Sequence, residues 1–228
     1  MWINNPRMQV ITKRRLLSLI LAVLGIFLIV LSIYPIIEYE YISRKRFPGI
    51  VSPVSQKERR LILSAPFKDF GKLNNWSTEY ELLPSNEVVE NEYYISVPKL
   101  GINKAVVHEG GEDLSESLIQ YPGTALPGYN GDTVIFGHSV LPVFFNPVNY
   151  MTIFSTLPKL EEGDVIIVNI GDVMYKYVVI SMYEVYPNDL DILDQRLNDS
   201  YLSLVTCVPP GHPLKPKRLV VKAKLTQI

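Results

Sequence analysis

The sequence predicts an all-β domain, a small closed barrel or sandwich, carried behind one membrane-spanning N-terminal helix. Nineteen residues without a charge, Leu16 to Tyr34, follow a basic tail near the start of the chain. From Tyr93 onward, short runs of β-branched and aromatic residues are divided by Gly, Pro, Asn and Asp, the pattern of short strands joined by turns. The composition agrees: 228 residues, 47% hydrophobic and 20% charged, with 17 prolines and 14 tyrosines. A coiled coil or a disordered chain needs more charge and fewer aromatics. The length allows one domain with a real core plus a short appendage, and excludes two large domains.

The first element is the run LLSLILAVLGIFLIVLSIY from Leu16, which Ile36 and Ile37 extend past Pro35. At a rise of about 1.5 Å per residue it crosses a hydrocarbon core of about 30 Å. It is longer than the apolar region of a cleaved signal peptide, and no small-x-small cleavage site follows it. Residues 1–15 are then a cytoplasmic tail and 16–37 an uncleaved signal anchor. Arg7, Lys13, Arg14 and Arg15 precede the run, against Arg44, Lys45 and Arg46 after it, which puts the N-terminus inside and the bulk of the chain outside.

The charge reading also bears on partners. Met1 to Ile37 hold four basic residues and no acid, leaving 18 Lys/Arg against 23 Asp/Glu, a net of −5, over the other 191 residues. Nucleic-acid binding wants the opposite sign on the folded part, so no nucleic-acid partner is expected.

Residues 38–92 carry charge clusters at Arg44 to Arg46 and Lys57 to Arg60, prolines at 48, 53, 66 and 84, and little periodicity. They read as an extracellular arm or stalk with a helical turn or two around Gln56 to Ser64. Residues 93–228 form the β domain, with strands expected at Tyr93 to Val97, Ile102 to Val107, Thr133 to Phe136, Asp164 to Ile170, Met174 to Tyr186, Tyr201 to Val208 and Arg218 to Leu225. Seven or eight strands in about 135 residues fit a small barrel or sandwich. One helical insert is expected at Met151 to Lys159, where Ile153, Phe154 and Leu157 share a face before Glu161, Glu162 and Gly163 end it.

A single cysteine, Cys207, can form no internal disulfide and no Cys-rich zinc site. Its bland role is a small buried hydrophobe in the strand YLSLVTCVPP. Strand parity points elsewhere. Leu202 and Leu204 are apolar while Ser203 shares the face of Cys207, so the thiol is turned away from the barrel interior. In the last strand Leu219, Val221, Ala223 and Leu225 form the inward set, leaving Arg218 outward with Lys222 and Lys224. Ten residues separate Cys207 from Arg218, so the hairpin between them can set thiol and guanidinium side by side. A cation there favours the thiolate and offers hydrogen bonds to an oxyanion. Three histidines could carry a proton: His138 closes the strand DTVIFGHS, His108 lies in VVHEGG and His212 in the loop after Cys207. Spacing alone does not choose among them.

A β-strand ending in Gly137-His138, a strand ending in Ser203-Leu204-Val205-Thr206-Cys207, and Arg218-Leu219-Val220-Val221 about ten residues on, all behind an N-terminal anchor, resemble the sortase family of cysteine transpeptidases. The resemblance runs over roughly Tyr93 to Leu225, and takes in Ile95 to Ile102 (ISVPKLGI), Tyr121 to Thr124 (YPGT) and Pro127-Gly128. It departs from the family at Ser203, where Thr is usual, and in the long aromatic segment Val140 to Thr156, which alters the expected shape of the substrate groove. The resemblance implies a closed eight-stranded β-barrel with one or two short helices and a groove on its outer face. It implies that Cys207 attacks the carbonyl after the Thr of an L-P-x-T-x sorting signal in a secreted protein and forms a thioester. Arg218 would stabilise substrate and oxyanion, and His138 would protonate the leaving amine and deprotonate the incoming amine of a peptidoglycan precursor. Thr206 and Ser203 would contact substrate. The chemistry requires no cofactor and no metal, and calcium dependence is left open. The implied place is the cell membrane, single-pass, with the catalytic domain outside.

Other classes remain in view. An L,D-transpeptidase would show His two residues before Cys in an S-H-G-C-x-R pattern, which is absent. A sortase-like hydrolase would pass the thioester to water, and an inactive membrane-tethered binding module would keep the barrel without Cys, His and Arg together. The arm lacks the D-P-W or D-P-F lid anchor of pilin-polymerising members, which favours a class A-like or class D-like anchoring role.

Overall fold

The computed structural model describes residues 6–47, 92–111 and 113–227. The helical turns expected at Gln56 to Ser64, and the rest of the arm from Pro48 to Asn91, lie outside the described residues.

The apolar run forms the middle of one long helix, α1 (Pro6–Arg46). From Leu16 to Tyr34 its large apolar side chains are about half exposed all round, and none of them is buried. The helix is long and apolar enough to cross a membrane. It does not stop at Ile37. The first nine residues of the expected stalk continue it and pack on the barrel: the Tyr39 hydroxyl donates to Glu184 at 2.7 Å, and Lys217 Nζ donates to Glu40 at 2.9 Å and to Glu184 at 3.0 Å. Two turns further on, Arg46 donates to the carbonyls of Pro158, at 2.7 Å, and Leu160. Of the charges that suggested a solvated stalk, Arg46 is thus held by carbonyls more than a hundred positions away, while Lys45 donates to Tyr41 within the helix; Lys57 to Arg60 lie outside the described residues.

The β domain is a closed barrel of eight strands: β1 (Glu92–Val97), β2 (Ile102–Glu109), β3 (Leu118–Gln120), β4 (Gly131–Phe136), β5 (Val165–Ile170), β6 (Val173–Val185), β7 (Ser200–Val208) and β8 (Lys217–Gln227). They close in the order β1-β2-β3-β4-β7-β8-β6-β5. Two pairings, β2 with β3 and β4 with β7, are parallel; the rest are antiparallel. Closure removes the sheet edges. Alternation then divides the apolar side chains between two faces. Ile95, Val107, Ile135, Leu204, Leu219 and Val221 fill the interior, while Val134, Phe136, Val205, Cys207 and Val220 form a second buried cluster on the outer face.

The short helices of the barrel domain are single 3-10 turns, at Pro98–Leu100, Pro142–Phe144, Leu157–Lys159 and Asp191–Leu193. The helix expected at Met151 to Lys159 is a chain of turns ending in one of these. Its apolar residues Ile153, Phe154 and Leu157 are buried as expected, but the backbone bonds run three residues apart, as from Ser155 N–H to the Thr152 carbonyl. The N–H of Phe154, which an α-helix would direct to Tyr150, donates instead to the His138 carbonyl at 3.0 Å. Spacing of apolar residues by three or four is met equally well by such turns.

Candidate active site

Cys207 and Arg218 are direct partners in the antiparallel pairing of β7 with β8. Opposed Cβ atoms in such a pair lie about 5 Å apart on one face, so the hairpin sets thiol and guanidinium together, as the spacing predicted. Both face outward, and both are buried, at 1% and 2% exposure. Parity gave the direction of the thiol but not its burial. It belongs to a buried outer cluster with Leu114, Val134, Phe136, Val205 and Val220, against which Ile192 and Leu193, in the connection between β6 and β7, pack. An outward strand Arg beside Lys222 and Lys224 would ordinarily be solvated; Arg218 instead donates to the carbonyls of Lys215 at 3.1 Å and Lys217 at 3.2 Å. Burial pushes the guanidinium pKa below its usual range, and the neighbouring Cys207 opposes that shift. A buried cation confronting a thiol is a poised electrostatic arrangement, since its field is weakly screened.

His138 reaches the same place from β4, which lies parallel to β7 with Phe136 paired to Val205. Three bonds beyond the ladder hold the end of β4 there. The Gly137 N–H donates to the Val205 carbonyl at 3.1 Å, the Thr206 hydroxyl to the Gly137 carbonyl at 2.8 Å, and the Ser139 hydroxyl to the Cys207 carbonyl at 2.5 Å. His138 is thus clamped between two residues bonded to the cysteine strand, with 3% exposure. Gly137 is needed for close approach: a Cβ there would lie 2.5 Å from Phe154 and 2.6 Å from Leu118.

The other histidines stand apart from this joint. His108, on β2, lies 3.7 Å from Glu92 and is half-exposed. His212 accepts the Leu214 N–H at 3.1 Å; burial lowers its pKa, with Glu40 opposing and Lys217 reinforcing the shift.

The two hydroxyls expected to meet substrate are engaged within the protein. Thr206 belongs to the inward set and is fully buried, with its hydroxyl on Gly137. Ser203 faces outward but is buried too, and donates to Asp132 Oδ2 at 3.0 Å. Thr206 therefore joins the two strands that bear His138 and Cys207. Ser139, which sequence reading passed over, does the same; its position next to Gly137-His138 was the available signal. Asp132 is a further buried group on the outer face, held by Lys222 at 2.6 Å as well as by Ser203. Among the described residues no cluster of His, Cys, Asp and Glu could hold a metal ion.

A closed eight-stranded barrel whose fourth, seventh and eighth strands bring the segments of His138, Cys207 and Arg218 side by side is the architecture that the motif resemblance implied. The sortase domain model matches residues 95–226, and the chain belongs to the sortase family, as a transpeptidase of the sortase type. Solved structures agree on the fold. A Sortase D5 transpeptidase of Clostridium perfringens is 24% identical, over 77% of this chain and 91% of that one, with a TM-score of 0.52. Sortase A of Corynebacterium diphtheriae is 22% identical, over 86% and 93%, with a TM-score of 0.56. A pilus-related Sortase C of Group B Streptococcus is 26% identical, over 77% and 92%, with a TM-score of 0.54. No curated protein matches the chain.

Proposed function

We propose that this chain is a membrane-anchored sortase that cleaves an L-P-x-T-x type signal in secreted proteins and transfers the acyl group to an amine of a cell-wall precursor. The observation that carries the reading is the buried pairing of Cys207 with Arg218 beside His138. Cys207 Sγ attacks the carbonyl carbon of the Thr residue, and the carbonyl electrons move to oxygen. Arg218 hydrogen-bonds that oxyanion, and its planar fork suits two acceptors at once. His138, as imidazolium, gives its proton to the departing amine as the C–N bond breaks and a thioester forms. Neutral His138 then takes a proton from the incoming amine as it displaces Cys207. Thr206 and Ser139 position His138 against the thiol. The 16–37 segment of α1 supports placement in the cell membrane, with the barrel outside where exported proteins and precursors meet it.

Mass spectrometry of the full chain mixed with a peptide bearing the signal tests this directly. The expected products are a thioester at Cys207 that hydroxylamine releases, and an amide product that requires added amine. Release to water alone, unaffected by amine, would instead identify a hydrolase. Failure of Cys207 to form any adduct, with peptide still cleaved, would overturn the assignment of the nucleophile.

A further inference from the structure

The segment Val140–Thr156 holds seventeen residues without a charge, and part of it is apolar and uncovered. Val143 is 79% exposed, Phe144 65% and Val148 78%. These tips are presented by a built loop. Phe145 and Tyr150 pack on the barrel core, the Tyr150 hydroxyl accepts the Val106 N–H at 2.9 Å, and the Thr152 hydroxyl donates to the Asn146 carbonyl at 3.1 Å.

Contacts along α1 give the height of this loop above the point where the helix leaves the apolar run. Tyr39 and Glu40, within one turn of Ile37, hold Glu184 and Lys217. Arg46, about two turns further on, holds Pro158 and Leu160. The start of β8 and the connection leading into it from Pro209 are therefore the part of the barrel nearest the end of the apolar run, and Pro158 to Leu160 are farther away. Val140–Phe144 lies against that connection, because a Cβ on Gly211 would be 2.5 Å from Leu141 Cγ. Pro142 and Pro210 line one cavity with Pro35, Glu38 and Tyr39. Half-exposed Leu214 belongs to the same connection.

We infer that Val143, Phe144 and Val148, with Leu214, rest in the headgroup–acyl boundary of the lipid bilayer beside the exit of α1. The inference rests on the membrane anchorage proposed above and extends it from a tether to an orientation. Uncharged apolar and aromatic side chains gain from that boundary, whereas carboxylates would lose. The surface is continuous with the apolar helix that enters the same bilayer. Cys207, Arg218 and His138 share this end of the barrel, so the reaction centre faces the lipid surface, where an acyl donor and an amine acceptor that are themselves membrane-tethered would arrive. The exposed pair Val173 and Met174 lies at the other end of the thirteen-residue strand β6 from Glu184, and faces water.

The test uses the full chain in vesicles of phosphatidylethanolamine and phosphatidylglycerol that contain lipids with a nitroxide near the headgroup. Trp2 and Trp76 are replaced by Phe, and Phe144→Trp, Val148→Trp or Met174→Trp supplies the single fluorophore. With the chain floating with the vesicles, the Phe144→Trp and Val148→Trp chains are expected to lose most of their emission to the nitroxide, and the Met174→Trp chain to lose little. Equal quenching at positions 144 and 174, or none at 144 and 148, in chains that float, would overturn the docking while leaving the anchor intact. Chains that do not float with the vesicles would overturn the anchor and the docking together.

Discussion

Cys207 and Arg218 stand directly opposite each other across β7 and β8, and both are buried although both face outward. Outward direction comes from strand parity, and Cys207 is buried within an apolar cluster on that outer face. A substrate has to open part of this outer face, so Cys207, at 1% exposure, is expected to be alkylated by a small neutral reagent much more slowly in the folded protein than in urea-unfolded protein. Equal rates would mean that the thiol is already accessible in the folded state.

Replacing the thiol is expected to abolish formation of the thioester and cleavage of the peptide. Cys207→Ala also removes a sulfur packed among Val205, Phe136 and Val220, so a cost of about 1 kcal/mol accompanies the loss. The β-sheet circular dichroism should persist. Retained turnover would remove Cys207 from the mechanism.

Arg218 is the sharper case, because its two visible bonds, to the Lys215 and Lys217 carbonyls, already use part of the guanidinium. Arg218→Lys keeps the charge but loses the fork, and loss of an oxyanion donor typically costs about 10² to 10³-fold. We expect kcat/KM to fall at least about 10-fold for Arg218→Lys, and further for Arg218→Ala. Near-normal turnover in Arg218→Lys would show that charge alone suffices.

The histidines separate by their place in the fold. His138→Ala should remove nearly all turnover, because Ser139 and Thr206 fix its neighbours to the strand of Cys207. His108→Ala, on β2 beside Glu92, should leave kcat/KM near normal. Comparable losses in His138→Ala and His212→Ala, measured on correctly folded protein, would place the loop histidine in the proton transfer as well.

Much of this was legible in the chain. Seven strands followed from runs of β-branched residues, and the facing of Cys207, Arg218 and Leu219 followed from alternation. The eighth strand, Leu118–Gln120, was missed because three residues buried on both faces carry no alternation. The continuation of α1 past Ile37 was missed because Tyr39, Glu40 and Arg46 are polar, and their partners Glu184, Lys217 and Pro158 are distant in sequence. Burial of the site was not legible for the same reason: a local pattern shows which face a residue takes, and only the fold shows what lies over that face. The engagement of Thr206 with Gly137 likewise required the parallel pairing of β4 with β7, which a sequence of turns and strands does not announce.

The outer face also holds a carboxylate whose pH dependence is testable. Asp132 is nearly fully buried, and burial raises its pKa above the ordinary Asp value; Lys222 and Ser203 pull it back without cancelling the rise. An acid whose folded pKa exceeds its unfolded one holds its proton more tightly when folded, so its contribution to stability declines as pH rises from the ordinary Asp range through the raised value. Lys222, at 2.6 Å, is what makes the ionised form tolerable. Lys222→Met should therefore destabilise the fold by about 3 kcal/mol near neutral pH, the typical cost of leaving a buried charge alone. The loss should shrink as pH falls into the acid range and the carboxyl takes up its proton. Asp132→Asn should cost less than Lys222→Met at neutral pH, because the lysine head can still reach water, and adding Asp132→Asn to Lys222→Met should recover part of the loss. Thermal melts of the three variants at neutral and acid pH check this, and a Lys222→Met deficit that is the same at both would show that the lysine acts through packing rather than through the charge on Asp132.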